Sequence, residues 1–315
     1  MPAVIDLFSG AGGFSLGFKR RGFLISAAVE NFPPAVRTYR INFPETELLA
    51  KDVKKVSAEE LPREIDVVIA GPPCEAFTAS NPNRRKRPLD RLYKDPSGML
   101  MLEAVRLIAL LKPKIFIIEN VPEVAAPVIR SALAKEFRRI GYPKVYFNLL
   151  QAENYGCPSL RRRVFISNVE IRPEPTVIKP VTVREALKGL PPPGSNGVPN
   201  HRLTPISRRR LLQISRLRQG EALVRYRGAG GRTYRNWVRL IPDKPAPPVL
   251  GNSRFIHPWE DRLLTVREQA RLMGFPDDHV FLGGLKNQYD MVGEAVPVPL
   301  AEAIAESILE TLEEL

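Results

Sequence analysis

The sequence predicts an α/β fold, a doubly wound, Rossmann-like parallel sheet that carries a second, smaller domain. Short apolar runs that end in a polar residue recur along the first half, with helix-like stretches between them, a pattern typical of alternating strands and helices. A glycine-rich turn follows the first apolar run. A proline-rich stretch at residues 191–194 then leads into an arginine-rich region, which indicates a linker and a second domain.

Composition and charge narrow the class of partner. The 315 residues suffice for one large domain or two modest ones, and 44% hydrophobic residues is ordinary for a soluble protein. The formal net charge of +13 and the sequence pI of about 9.9 favour a polyanionic partner. A basic surface of the kind found in thermophilic proteins gives the same charge, so charge alone leaves both explanations open.

Several classes of protein are disfavoured. No apolar run is long enough to span a bilayer, and residues 3–5 already resemble a strand, so we expect neither a membrane segment nor a signal peptide. Two cysteines without a disulfide framework suit a reducing cytoplasm. Metal-ligand spacing is missing among the histidines and cysteines, so we expect no metal. These residues are His201, His257, His279, Cys74 and Cys157.

A glycine-rich turn follows the first predicted strand at residues 3–7. Residues 6–14 read Asp-Leu-Phe-Ser-Gly-Ala-Gly-Gly-Phe, and a helix is expected from Phe14 to Arg21. A strand, a glycine turn and a helix are typical of a nucleotide-binding site, because glycine lets the backbone approach a ligand closely. Ser15 stands where a dinucleotide-binding fold would have its third glycine, which argues against NAD. A plain tight turn is the simpler alternative.

Two acidic residues at strand ends extend this predicted site. Glu30 ends the second strand, about 20 residues after the glycine turn, where an acidic side chain typically binds ribose hydroxyls. Asp52 follows a short third strand at residues 48–50 and is a weaker candidate for binding an adenine amino group. A surface carboxylate is the alternative for both.

Cys74 is the candidate nucleophile. An apolar run at residues 66–70 leads into Gly71-Pro72-Pro73-Cys74, and two prolines cannot continue a sheet. The thiol is therefore presented on a stiff turn at the carboxyl end of a strand, where open α/β sheets bind ligands. A buried core cysteine is the plain alternative. Five basic residues within 84–91 favour phosphate contacts beside the thiol.

A carboxyl and two guanidinium groups complete the predicted catalytic set. Glu119 follows an apolar run as Cys74 does, so neighbouring parallel strands would open both into one crevice. A carboxyl there should be partly desolvated, which suits a group that carries a proton; a helix-capping acid is the alternative. Arg161 and Arg163 share one face of a later strand and can hold an anion or a carbonyl oxygen.

Taken together, these segments resemble the DNA (cytosine-5) methyltransferase family. Six motifs occur in the family order and span nearly the whole chain. They are the S-adenosylmethionine loop at 6–14, the Pro-Cys loop at 71–74, the Glu-Asn-Val motif at 119–121, the arginine motif at 155–163, the motif that organises target recognition at 262–277 and the closing motif at 292–297. Each motif is weak alone, and six in order are very specific.

The resemblance implies an activity and a cofactor. Cys74 would attack C6 of a cytosine flipped out of duplex DNA. Glu119 would bond to N3, and Arg163 would hold O2 while Arg161 supports the catalytic loop or the thiolate. S-adenosyl-L-methionine would supply the methyl group and leave as S-adenosyl-L-homocysteine. The expected cofactor contacts are Phe8, Ser9, Gly10, Ala11, Gly12, Gly13, Phe14, Glu30, Asn31, Asp52, Val53, Pro72, Leu100, Glu294 and Val296.

Three positions depart from the family pattern. Glu75 follows the cysteine where the family usually has Gln, Ser159 stands where a Gln often precedes the arginines, and Glu294 replaces the usual Asn of the closing motif. None removes the nucleophile, the acid or the arginines, so we expect an active enzyme. Glu75 places a negative charge near the thiolate, and Glu294 is expected to alter cofactor contacts.

The resemblance also divides the chain. We expect a catalytic, S-adenosylmethionine-binding domain of residues 1–178 and 290–315, and an inserted target-recognition domain of residues 179–289 with a basic helix at 205–220. The expected partner is duplex DNA, methylated site-specifically by a cytoplasmic, nucleoid-associated monomer of a restriction-modification system. Two alternatives stay open: a tRNA cytosine-5 methyltransferase on the same scaffold, and a non-catalytic DNA-binding module.

Overall fold

A computed structural model describes residues 1–314 and contains a seven-stranded sheet in the order β3-β2-β1-β4-β5-β7-β6. Strands β1 to β5 pair in parallel, and β7 runs antiparallel to both β5 and β6. The α/β fold predicted from the sequence is therefore confirmed. The strands are β1 Ala3–Leu7, β2 Leu24–Glu30, β3 Glu47–Ala50, β4 Val67–Ala70, β5 Ile115–Asn120, β6 Tyr146–Gln151 and β7 Arg162–Ser167.

Helices cover both faces of this sheet because successive residues of the central strands are apolar and buried on either face. Ile5 and Leu7 of β1 pack in one cluster with α4 and α5, while Val4 packs in the opposite cluster with α1 and α10. The helices are α1 Gly13–Arg20, α2 Pro33–Asn42, α3 Pro88–Tyr93, α4 Leu100–Leu111, α5 Pro127–Arg139, α6 Val183–Leu187, α7 Arg208–Ile214, α8 Val266–Arg271, α9 Leu285–Glu294 and α10 Val298–Glu314. No helix within residues 1–314 combines the length and apolar character needed to cross a bilayer.

A second, three-stranded sheet lies in the region predicted for target recognition. An antiparallel hairpin, β8 Ala222–Arg227 and β9 Thr233–Arg239, pairs with the short strand β10 Phe255–Ile256. The basic helix predicted within residues 205–220 is α7, Arg208–Ile214. Its Ser207 hydroxyl caps the Arg210 amide, and the hydroxyl of Ser215 turns back to the carbonyl of Leu212 where the helix ends.

The recognition region also packs against the glycine turn. One apolar cluster joins residues between 183 and 298 with Ala11 and Ala35 of the large sheet's helix layer. His279 bonds through Nε2 to the Ala11 carbonyl oxygen at 2.9 Å. The domain limits at residues 178, 179, 289 and 290 therefore stay a prediction, because this packing is continuous across them.

Candidate active site

A cavity of about 1270 Å³ opens at the carboxyl edge of the parallel strands. All four predicted catalytic residues line it, and so do all the predicted cofactor contacts except Gly12. Gly12 has a φ of +83° and faces the Phe43 ring, where a Cβ would lie 2.2 Å from the nearest ring carbon. Its role in the turn is therefore conformational, because only glycine fits there without strain.

Glu30 ties the glycine turn to the end of β2. Its Oε2 accepts a hydrogen bond from the Gly10 amide at 2.8 Å, and its Oε1 accepts from the amides of Asn31 and Phe32, each at 2.8 Å. Ser9 is buried in the cavity wall, and its hydroxyl oxygen has no hydrogen-bond partner in the described chain. A carboxylate and an unpartnered hydroxyl beside open glycine backbone fit a polar nucleoside ligand.

Asp6 is a cavity residue that the sequence reasoning did not select. The Ser15 hydroxyl donates to Asp6 Oδ2 at 2.6 Å and lies 2.7 Å from the Tyr39 hydroxyl. Burial, with a smaller contribution from the nearby Glu30 charge, raises the pKa of Asp6 to about 7. The same bond gives a structural reason for serine at position 15. An acid at the end of a buried strand, nine residues before a serine, was the available signal.

Cys74 lies on a turn that follows β4. The Gly71 amide continues the sheet by donating to the Leu7 carbonyl, and the Pro72 carbonyl accepts from Asn120 Nδ2 at 3.1 Å. Burial raises the pKa of the Cys74 thiol to about 11, although the positive charge of Arg163 acts in the opposite direction. The thiol is therefore neutral at physiological pH in this structure.

Glu119 and Arg163 form an ion pair beside that thiol. Arg163 Nε lies 2.8 Å from Glu119 Oε1, and the side chains are 10% and 9% exposed. The pair is electrostatic rather than a well-directed hydrogen bond, since Glu119 Oε1 lacks a bonded donor within residues 1–314. Arg163 also donates to the Arg162 carbonyl at 2.9 Å. The antiparallel pairing of β5 with β7 brings these two side chains together.

Arg161 bonds to backbone carbonyl oxygens rather than to the side chains of the predicted catalytic residues. It is 2% exposed and donates to the carbonyl oxygens of Val249, Gly293 and Ala295 at 2.5, 2.9 and 3.0 Å. Burial, together with the neighbouring Arg163 charge, lowers the pKa of Arg161 to about 9. These bonds connect the arginine motif to the closing motif and to the recognition region. Arg161 is therefore a positioning residue in this structure.

The three departures from the family pattern occupy different surroundings. Glu75 and Glu294 both line the cavity. Burial, followed by the charges of Glu75 and Asp290, raises the pKa of Glu294 to about 7. Ser159 is buried away from the cavity, 3.3 Å from the sulfur of Cys157. The Cys157 thiol also donates to the Leu272 carbonyl, so this buried cysteine has a structural role.

The hairpin of the small sheet forms the opposite wall of the cavity. Tyr226 and Tyr234 stack with ring centroids 5.6 Å apart. Arg225 and Arg235 stand directly opposite each other and are exposed. Like charges in that arrangement destabilise a hairpin, so their presence indicates an anionic partner. The sequence analysis assigned this segment to the target-recognition domain but could not identify these facing pairs.

Comparisons with known proteins agree with this geometry. A family model described as C-5 cytosine-specific DNA methylase matches residues 3–189 and 194–310. A Methanocaldococcus jannaschii protein described as a type II methyltransferase, M.MJ0563P, is 47% identical over 318 residues, which cover 98% of this chain and 99% of the relative. Type II methyltransferase M1.HphI of Haemophilus parahaemolyticus is 39% identical over 97% of this chain and 86% of its own length.

Solved structures share the fold. An E. coli prophage-encoded protein described as a DNA modification methyltransferase has a TM-score of 0.79 at 27% identity, covering 99% of this chain and 100% of its own. A mutant of Spodoptera frugiperda DNMT2 has a TM-score of 0.67 at 17% identity, covering 98% of this chain and 100% of its own, a likeness of fold alone. Since the family model spans nearly all of the sequence, the chain belongs to the C-5 cytosine-specific DNA methylase family.

Proposed function

We propose that this chain methylates C5 of a cytosine flipped out of duplex DNA, through a transient bond between Cys74 Sγ and C6 of the base. The observation that carries the proposal is the cavity in which the Cys74 thiol, the Glu119–Arg163 pair and the glycine turn meet. C5 of cytosine is a poor nucleophile, and addition of the Cys74 thiolate at C6 converts the base into an enamine whose C5 can take the methyl group. Loss of the C5 proton and breaking of the S–C6 bond then release the methylated base and the free thiolate.

The neighbouring polar groups have distinct roles in this scheme. Glu119, in its protonated form, donates a hydrogen bond to N3, where negative charge develops as sulfur adds to the ring. Arg163 holds the O2 carbonyl. Because these two side chains contact each other in the free protein, the incoming base edge must separate them. Arg161 keeps the closing motif and the recognition region in place around the base.

The glycine turn and its neighbours fit S-adenosyl-L-methionine. Bound there, the cofactor supplies a methyl group on a sulfonium and leaves as S-adenosyl-L-homocysteine. Glu30 accepts from the ribose hydroxyls with lone pairs that its three amide bonds leave free. The unpartnered Ser9 hydroxyl and Asp52 provide further polar contacts along the same wall.

The arginine-bearing hairpin and the basic loop after Cys74 favour duplex DNA as the substrate. Exposed arginines on a two-stranded ribbon can contact phosphates and base edges in a groove. Relatives named as type II methyltransferases suggest that the chain is the modification enzyme of a restriction-modification system. A tRNA substrate is the alternative that the activity test must separate.

Wild-type protein and Cys74→Ser are incubated with S-adenosylmethionine and either unmethylated plasmid DNA or unmodified tRNA. Digestion and nucleoside mass spectrometry are expected to show 5-methyl-2′-deoxycytidine with wild-type protein only, and no 5-methylcytidine from tRNA. Product from the serine variant, or modification of tRNA alone, would contradict the proposal. Bisulfite sequencing of the plasmid then gives the methylated site.

We further propose that the protein acts as a cytoplasmic, nucleoid-associated monomer. Its free thiols, Cys74 and Cys157, suit a reducing compartment. Light scattering coupled to size-exclusion chromatography should give the mass of one chain, 35.3 kDa. A mass of twice that value would contradict the monomer.

A further inference from the structure

The turn that carries Cys74 is short and internally bonded. The Cys74 carbonyl accepts hydrogen bonds from the amides of Phe77 and Thr78, at 2.9 and 3.0 Å. Phe77 is fully buried, and its own carbonyl accepts from the Arg84 guanidinium at 2.7 Å. Ala79 directly follows Thr78, so a displacement of Ala79 is transmitted through these bonds to Cys74.

The last residue of β5 and the segment after it contact this turn at both ends. Asn120 Nδ2 bonds to the Pro72 carbonyl before the cysteine. Four residues after Glu119, Glu123 Oε1 accepts a hydrogen bond from the Ala79 amide at 3.2 Å. One strand end thus positions both the catalytic carboxyl and the turn that presents the thiol.

The β8–β9 hairpin lies against the carbonyl oxygen of the same residue, Ala79. Gly228, directly after β8, is buried, and a Cβ built there would lie 2.5 Å from the Ala79 carbonyl oxygen and 2.5 Å from a Tyr234 ring carbon. Only glycine permits so close an approach of two backbones. The hairpin that carries the exposed arginines is therefore in direct contact with the catalytic loop.

We propose that Glu123 is a positioning residue for methyl transfer: its carboxylate bonds to the Ala79 amide while Gly228 packs against the Ala79 carbonyl, and these two contacts fix the turn that presents Cys74. The inference rests on the proposed role of Cys74. It also couples DNA binding to catalysis, because any shift of the hairpin on DNA changes the contact between Gly228 and the Ala79 carbonyl.

Two measurements test separately whether Glu123 and Gly228 hold Ala79 in place and whether this affects turnover. Hydrogen–deuterium exchange of peptides that contain the Ala79 amide reports how well its hydrogen bond to Glu123 is kept in the free protein, without substrate. Steady-state kinetics with unmethylated plasmid DNA and S-adenosylmethionine reports its effect on turnover. The variants are Glu123→Ala, Glu123→Gln and Gly228→Ala. The controls are Glu170→Ala, at an exposed glutamate, and Gly284→Ala, where an added Cβ meets nothing closer than 3.9 Å.

In Glu123→Ala, the Ala79 amide should exchange about tenfold faster, and kcat should fall about tenfold, the size expected for one lost charge-assisted hydrogen bond. The KM for S-adenosylmethionine should stay within about twofold of wild type, since the variant leaves the glycine turn intact. Glu123→Gln keeps an accepting oxygen and should resemble wild type. Gly228→Ala should resemble Glu123→Ala, and both controls should resemble wild type.

Unchanged exchange and unchanged kcat in Glu123→Ala would overturn the proposal. So would a Glu123→Gln variant as impaired as Glu123→Ala, because charge rather than the hydrogen bond would then be responsible. If Glu123→Ala misfolds, the glutamine and Gly228 variants still decide the question. If wild-type protein methylates no DNA, the proposed function fails, while the exchange data still report whether Glu123 and Gly228 hold Ala79 in place.

Discussion

Arg163 Nε and Glu119 Oε1 lie 2.8 Å apart on adjacent antiparallel strands, with only a tenth of either side chain exposed. A buried pair of this kind persists because removing one partner leaves the other charge uncompensated. The two groups that we expect to hold the base edge are therefore each other's partner until a base enters. In the free protein each of these two side chains is therefore held in place by the other.

The reactivity of Cys74 should depend on pH. Because burial raises the pKa of its thiol to about 11, the thiolate fraction should increase roughly tenfold per pH unit between pH 7 and 10. Iodoacetamide alkylation of the free protein, mapped by mass spectrometry, should follow that slope at Cys74. Buried Cys157 is the internal control and should stay unmodified. A rate at Cys74 that is flat above pH 7 would show a thiolate already formed.

Replacing Glu30 should weaken cofactor binding. Glu30→Ala removes one backbone hydrogen bond from the glycine turn, at the Gly10 amide, and two from the Asn31 and Phe32 amides, as well as the expected ribose contact. The Kd for S-adenosylhomocysteine, measured by calorimetry, should rise at least about tenfold. Glu30→Gln should have a smaller effect, because its amide oxygen can still accept, and Glu47→Ala on neighbouring β3 is the control. An unchanged Kd in Glu30→Ala would remove Glu30 from the site.

Arg225 should contribute to DNA affinity and not to stability. Its guanidinium faces Arg235 across the hairpin, so Arg225→Ala relieves a repulsion and should leave the melting temperature unchanged or slightly raised. Affinity for duplex DNA should fall, and the slope of log K against log salt should lose about 0.9 if one phosphate contact disappears. Exposed Arg172, which pairs with Glu170, is the matched control. Equal salt slopes in the two variants would contradict this assignment.

Asp6 should make stability decrease as pH rises. Its pKa is raised to about 7 from an ordinary value of 3.8, so between these values the folded state binds a proton that the unfolded state has released. The free energy of unfolding should therefore fall by up to about 1.4 kcal/mol per pH unit in that window. Asp6→Asn, which still accepts from Ser15, should lack this component. Parallel urea midpoints for both proteins across pH 4–7 would refute the assignment.

The sequence predicted the strands of the large sheet and the part of the cavity wall at their carboxyl ends. Cys74, Glu119 and Glu30 each follow or end an apolar strand, and parallel pairing brings such positions to one edge. Their convergence is thus a consequence of local pattern and chain topology, both of which can be read from the residues.

Long-range backbone contacts were not predictable in this way. The carbonyl partners of Arg161 lie about 90 to 130 residues later in the chain, at Val249, Gly293 and Ala295. Ala79 contacts Glu123 through its amide and Gly228 through its carbonyl, and both partners lie in distant segments of the chain. No local periodicity encodes such contacts, because they depend on how the recognition region docks. The predicted support of the catalytic loop or the thiolate by Arg161 stays a prediction.

Covalent trapping tests the central claim most directly. Duplex DNA in which 5-fluoro-2′-deoxycytidine replaces every deoxycytidine is incubated with the protein and S-adenosylmethionine, and denaturing gels and peptide mass spectrometry follow. The carbon–fluorine bond blocks release of the base from sulfur, so a stable complex should form and map to Cys74, while Cys74→Ser should form none. A complex that persists in Cys74→Ser, or one mapped to another residue, would contradict the account.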